Sequence, residues 1–320
     1  MANYQLLIHR PNGVVYEPIV KDNITWSTER SGTAGKLNFT VVKDDVISFD
    51  EGDYVTFRID GKGVFQGRIL TKTRDKEHHI ECTAYDQTYY LKNNDTYVYE
   101  NRTLDDVIRT IANDFNLSVG TLVETGYKMS RIEDNVSLWD IIGNAMDETT
   151  LGTGNIYVLY DDFGKLQLRN IKSMRTPYLL DYDTALNFDY TTSLADDTYN
   201  RIKLVYENDE AGTRDVYIAE DSDNIDRWGL LQFYETINDP DIGKDKVNAM
   251  LELKNRKTRK LTAEALGDVS VRAGCWFPIH LNIGDIVVNQ YLIAEKVNHK
   301  FSESNHTMEI TVSGSGGFVA

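Results

Sequence analysis

His299 and His306 stand seven residues apart across an expected turn, a spacing that sets them facing each other on neighbouring strands. A metal would need a third and fourth ligand, and no further ligand stands out nearby, so the two read as hydrogen-bonding structural histidines. The other four histidines (His9, His78, His79 and His280) form no ligand pattern. Asp221, Asp223, Asn224 and Asp226 superficially suggest a calcium loop. They lack the glycine for the sharp turn and the terminal bidentate glutamate, so an exposed acidic loop is expected. Gly152-Thr153-Gly154 lacks the third glycine of a dinucleotide fingerprint and precedes an expected strand. The chain contains no phosphate-loop sequence, no nucleophile-elbow sequence and no zinc-protease pair of histidines. Asp and Glu total 50, so a glycosidase-like carboxylate pair would carry no information here. No catalytic, cofactor-binding or metal residue is therefore assigned, and no cofactor is expected.

Charge is the second source of chemistry. The formal net charge is −16, which disfavours general binding to a phosphate backbone. Between Asp181 and Asp226 there are 13 acids and 3 bases. Between Lys244 and Lys260 the balance inverts, with seven bases (Lys244, Lys246, Lys254, Arg256, Lys257, Arg259, Lys260) and two acids. The stretch reads either as a solvated helix face or as a basic surface that docks on an acidic subunit, where complementarity fixes register. These seven residues are the candidate interface. Aromatic residues are not interleaved with them, which weakens a nucleic-acid reading.

The elements that must position these groups are mostly strands. The 320 residues suffice for two or three domains, and 19 tyrosines with only 5 prolines favour pleated surfaces. Residues 1–95 read as a β domain. Its strands include Lys36–Val41, Tyr54–Ile59, a second arm resuming at Val64-Phe65 after the Asp60-Gly61-Lys62-Gly63 turn, and His79–Tyr85. Residues 96–175 change period. Thr103 caps a helix carrying Leu104, Val107, Ile108, Ile111, Ala112 and Phe115; Ser137 caps another carrying Leu138, Ile141, Ile142, Ala145 and Met146. A hairpin from Asn155 to Asn170 turns at Asp161–Gly164, completing a small α+β domain. Residues 176–320 return to strands. A hairpin joins 199–207 to 214–219, and one helix is inserted at about 240–257, capped by Asp239-Pro240 with Val247, Met250 and Leu251 as its stripe. Gly314-Ser315-Gly316-Gly317 reads as a loose tail. Cys82 and Cys275 are far apart in strand-like patterns and read as buried free thiols of a protein made in a reducing cytosol. The opening residues, without a basic stretch ahead of a long apolar run, lead us to expect no secretory leader, and no run approaches the about 20 apolar residues that cross a bilayer.

One pattern recurs. Gly52-Asp53-Tyr54-Val55, a turn and Val64–Ile69 resemble Gly284-Asp285-Ile286-Val287, a shorter turn and Tyr291–Lys296. Gly-Asp before a strand is common in β proteins; the sharper reading is two related β-barrels in one chain, six around an axis in a trimer.

The order of further pieces carries a resemblance. They are Ile24–Ser27, Gly35–Phe39, Glu51–Val55, Val64–Gly67, Ala84–Gln87, Ser137–Ile142, Tyr199–Ile202, Trp228–Gln232, Val271–Gly274, and His299–Phe301 through His306–Met308. Across nearly the whole chain they resemble the baseplate hub proteins of contractile phage-type tails, of the PBSX-prophage type (XkdQ/YqbQ-like, related to T4-type tail hub proteins). The resemblance implies a β-rich α+β fold, with two tail-tube-like β-barrel domains flanking a small α+β domain and one helix inserted in the C-terminal barrel. It implies a homotrimer forming a pseudo-sixfold ring that joins the tail tube to the spike of a phage or tail-like bacteriocin. The implied partners are a tail-tube or tube-initiator protein, a spike protein, a tape-measure protein and other baseplate subunits. DNA would be met only in passing through the lumen, where acidic walls would let it slide. Membrane insertion is not expected. The competing readings are a tail-associated peptidoglycan hydrolase and a receptor- or carbohydrate-binding tail-tip module. The second would need an exposed aromatic cluster, and the four tryptophans (Trp26, Trp139, Trp228, Trp276) are scattered.

Overall fold

The structure, a computed structural model, describes residues 3–21, 23–208, 212–237, 240–283, 287–303 and 305–314. Two compact units emerge: residues 1–188 with 263–311, and residues 189–262 with 312–320.

The first unit begins with β1 (Tyr4–His9), β2 (Val15–Tyr16), β3 (Ile24–Glu29), β4 (Lys36–Val42), β5 (Tyr54–Ile59), β6 (Lys62–Arg74) and β7 (His79–Tyr85). Alternate residues of β3 and β4 are buried, the period-2 pattern of a sheet with one covered face. Trp26, Leu37, Phe39, Val55, Phe57, Ile69 and Phe301 fill that face. The β5–β6 hairpin turns at Asp60 (φ 50°) and Gly61 (φ 77°), the two consecutive positive φ values that match strand twist.

The chain then adds β8 (Asn94–Thr103), α1 (Leu104–Asp114), β9 (Val119–Leu122), β10 (Lys128–Ser137), α2 (Leu138–Thr153), β11 (Tyr157–Asp161) and β12 (Leu166–Asn170). Thr103 and Asp106 form a reciprocal capping box at α1, and the Ser137 hydroxyl accepts from the Asp140 N–H at α2. The expected stripe of α1, with Leu138, Ile141, Ile142 and Ala145 of α2, packs against β9, β11 and β12. β11 and β12 pair antiparallel, as the sequence turn requires.

Later elements are β13 (Ala185–Ser193), β14 (Arg201–Asn208), β15 (Thr213–Glu220), α3 (Ser222–Trp228), β16 (Gln232–Ile237), α4 (Gly243–Lys254) and β17 (Thr258–Leu266). They are followed by β18 (Trp276–Asn282), β19 (Val287–Ile293), β20 (Lys296–Phe301) and β21 (His306–Gly314). In the second unit β14 pairs antiparallel with β15 and parallel with β16, while Val247 of α4 packs on Ile202, Leu204 and Ile237.

In the first unit, strands from both ends of the chain share one sheet in the order β21-β20-β3-β4-β7-β6-β5-β1-β2. Residues 263–266 of β17 and 185–188 of β13 complete it beyond β21. The chain is thus β-rich with few helices, as expected. Among the described residues no sheet closes into a barrel. The N- and C-terminal strands pair with each other, through the six-residue β3–β20 ladder, rather than each set closing on itself.

Several local expectations are corrected. Val287–Ile293 is one uninterrupted strand paired with β18 in unbroken register, so the turn expected between Val287 and Tyr291 is not there. Val288 and Leu292 are buried on the same face, which a continuous period-2 strand delivers and a turn would break. Gly284-Asp285-Ile286 lies outside the described residues. The segment around Asp221 is not a loop: Asp221 accepts from the Asn224 N–H and caps α3, giving two helices where one was expected. The second, α4, starts at Gly243 behind Ile242, with no side-chain cap; Pro240 lies outside it and Asp239 lies outside the described residues. The described chain stops at Gly314, before the rest of the expected glycine-serine tail.

Candidate functional site

The densest polar constellation lies inside the first unit, where the β7 end, the β11–β12 turn and residues 271–275 meet. Asp86 follows β7 and is buried. Its N–H donates to the Gly35 carbonyl at 3.0 Å. Its carboxyl accepts from the Thr88 N–H at 3.0 Å and from the Thr88 hydroxyl. A Cβ on residue 35 would come 2.2 Å from that carboxyl, so only glycine fits opposite it. Asp161, also buried, accepts from the Gln87 side-chain amide and the Gly164 N–H, each at 2.8 Å. Arg272 donates to the Asp161 carbonyl at 2.9 Å and lies over the Tyr160 ring at 4.0 Å. Burial, reinforced by the charge of Asp161, pushes the Asp86 carboxyl up to about 7; the Thr88 bonds and Arg272 oppose it. Burial also raises Asp161, against the Gly164 and Gln87 bonds and Arg272.

The two histidines meet as their spacing requires. On the paired strands β20 and β21, His299 Nδ1 and His306 Nε2 are 3.0 Å apart. His299 Nε2 lies 2.8 Å from the Val271 carbonyl. That carbonyl accepts only, so His299 carries its proton on Nε2, its Nδ1 accepts, and His306 Nε2 donates. Trp26 and Phe301 stack on the His299 ring at 5.0 and 5.8 Å. Burial drives His299 down to about 3 and His306 down to about 4, so the pair is neutral through the physiological range. Among the described residues no nucleophilic side chain bonds to either ring. The thiols of Cys82 (up to about 12) and Cys275 (raised) are held protonated by burial.

The seven basic candidates come from three consecutive segments. Lys244, Lys246 and Lys254 are on α4, Arg256 and Lys257 follow it, and Arg259 and Lys260 are on β17. Lys246 pairs with Glu235 at 2.8 Å and Lys254 with Asp197 at 2.6 Å. Lys244, Arg256, Lys257 and Lys260 are exposed, and Arg259 is partly so. Asp75, Glu77 and His79 bring ligand atoms within 4.8 Å of one another. Lys21 Nζ sits 3.4 Å from the same His79 nitrogen that Asp75 engages, placing a cation where a metal would go. Among the described residues no helix is long and apolar enough to cross a membrane.

Sequence reasoning missed the Asp86–Asp161–Arg272 joint, although two of its members lie in Ala84–Gln87 and Val271–Gly274. Their polar residues stand beside apolar strand positions, which was the available signal; their meeting is a product of tertiary structure.

Comparison with known proteins agrees with this architecture. The chain is 32% identical over 276 residues to two Bacillus subtilis (strain 168) proteins, the phage-like element PBSX protein XkdQ and the protein YqbQ. The match spans 83% of this chain and 82% of each relative. A 43 kDa tail protein of prophage MuSo2 from Shewanella oneidensis shares the fold with a TM-score of 0.71 at 12% identity, over 97% of this chain and 98% of that one. A tail protein from Neisseria meningitidis does so with a TM-score of 0.70 at 13% identity, over 98% and 97%. An E. coli type VI secretion component, described as structurally similar to T4 tail proteins gp27 and gp5, gives 0.57 at 11% identity, over 99% of this chain and 79% of that one. The YqbQ-like family model matches residues 24–313, and with that span and those relatives the chain belongs to the YqbQ-like family.

Proposed function

We propose that this protein is a structural, non-enzymatic baseplate hub of a phage or tail-like bacteriocin particle, in which three copies form a pseudo-sixfold ring joining tail tube to spike. The observation that carries the reading is the sharing of one fold, over nearly the full chain, with phage tail proteins and a type VI secretion component. In the first unit, strands from the two ends of the chain lie side by side in one sheet through β3 and β20. A ring of this kind resists deformation because ladders and apolar cores must break together. Its partners would be the tube or tube-initiator protein, the spike, the tape-measure protein and neighbouring baseplate subunits. DNA would be met only in the lumen, and the net charge of −16 suits passage without adhesion. The seven bases from Lys244 to Lys260 remain the proposed subunit-facing surface, with Lys246 and Lys254 anchoring it internally.

The test is mass by light scattering, together with single-particle symmetry of the purified chain. A species of three copies with a threefold axis is expected. A monodisperse monomer would remove the ring, and clearing of peptidoglycan in a zymogram would replace the structural role with a hydrolytic one.

A further inference from the structure

An open concavity of about 450 Å³ in the first unit is lined by Arg169, Arg175 and Arg272, with the hydroxyls of Ser173, Thr176 and Ser270 between them. No carboxylate is among its lining residues. The chain has 50 acids against 34 bases, yet among the described residues neither Arg169 nor Arg175 makes an ion pair, while the charge of Arg272 bears on the buried Asp86 and Asp161. Arg272 is held by the Asp161 carbonyl, and its Nε is buried with no hydrogen-bond partner among the described residues. Arg175 stacks on Tyr291 at 4.6 Å and bonds the Tyr291 hydroxyl, which fixes its guanidinium before any ligand arrives. Gathered guanidinium groups with hydroxyls between them are the chemistry that receives oxyanions. Tyr160, Met174 and Pro177 add an apolar wall that suits a peptide better than a bare phosphate chain.

We propose that this concavity receives the carboxylates of Asp223 and Asp226 from a second copy of this chain. The two are exposed, lie three residues apart on α3 and so share one side of that helix, and neither has an ion pair among the described residues. They belong to the stretch with 13 acids and 3 bases, the strongest charge complement the chain offers. Pocket and acids are different surfaces, so the contact is head-to-tail, the type that closes into a ring when the rotation permits. The inference rests on the trimer reading above and adds a second contact to it.

The test is a charge swap read by light scattering at about 0.15 M salt, where only close pairs escape screening. Arg169→Glu with Arg175→Glu, and separately Asp223→Lys with Asp226→Lys, should each convert trimer to monomer with an unchanged circular-dichroism melt. All four changes in one chain should restore the trimer. If the Arg175 change lowers the melt, Arg169→Glu alone carries the test on the pocket side. A trimer that survives either reversal, or a four-fold variant that stays monomeric, overturns the contact and leaves the trimer reading standing. A monomeric wild type overturns both.

Discussion

Replacing His299 with phenylalanine should make the protein less stable at pH 8 and comparatively better off at pH 5. The His299 ring is fully buried between Trp26 and Phe301, and its Nε2 satisfies the Val271 carbonyl. Phenylalanine keeps the stacking and orphans that carbonyl, a loss of roughly 1–3 kcal/mol at high pH. The pH dependence comes from the wild type. His299 is held down to about 3 against an ordinary 6.5, so the unfolded chain binds the extra proton first as pH falls. The neutral-ring stability is complete above 6.5, declines through that window and is gone near 3. At a linkage slope of about 1.4 kcal/mol per pH unit, wild type loses on the order of 2 kcal/mol from this group between pH 7 and pH 5. The variant has no such loss, so the gap between them should close by about that amount. Urea melts at pH 5, 6, 7 and 8, followed by tryptophan fluorescence, measure the gap directly. Taking the difference cancels titrating groups remote from the ring, and adding His306→Phe to both proteins removes the one bonded to it. A gap that stays constant to within about 0.5 kcal/mol over that range would refute the buried-neutral assignment.

Asp86→Asn should stabilise the protein at both pH 5 and above pH 7, and by clearly more above pH 7. The wild-type carboxyl, pushed up to about 7, contributes a native-state proton below that value, and stability falls as pH rises from the ordinary carboxylate range through about 7. Thermal melts of both proteins at pH 5 and 8.5 check it, and equal melting shifts at the two pH values would count against it. Gly67→Ala should cost more than the roughly 1–3 kcal/mol of ordinary overpacking, because its Cβ would lie 2.1 Å from the Tyr85 backbone oxygen across the β6–β7 ladder; urea denaturation measures it.

Where the chemistry is local, the sequence could be read closely. Thr103 and Ser137 announce α1 and α2 because a cap needs only the next three residues. The His299–His306 meeting is legible because a hairpin converts seven residues of separation into adjacency. Reading failed where partners come from afar or where one local signal outweighs another. The Gly-Asp-x-Val echo invited a turn after Val287, but burial of Val288 and Leu292 on one face keeps β19 straight. The acids from Asp221 to Asp226 looked like a solvated loop because their number obscured the capping geometry of Asp221. Closed barrels were expected from the echo and from the family resemblance, and neither carries information about which strand finds which. The β3–β20 ladder joins residues 24–29 to 296–301, a pairing no periodicity encodes.

The same argument places the functional surface. A run such as Lys244–Lys260 is conspicuous because its charges are adjacent in sequence, yet Glu235 and Asp197 engage two of them. Arg169, Arg175 and Arg272 are inconspicuous, the third nearly a hundred residues from the others, yet folding gathers them around one concavity without a carboxylate in its lining. Charge that the chain leaves uncompensated after folding is a better guide to an interface than charge concentrated before it, because only the former still gains by meeting a partner. On that ground Arg169 and Arg175 should weigh more in assembly than Lys246 or Lys254. A side-by-side comparison of Arg169→Glu and Lys246→Glu by light scattering measures the order, and equal loss of assembly in the two would reverse it.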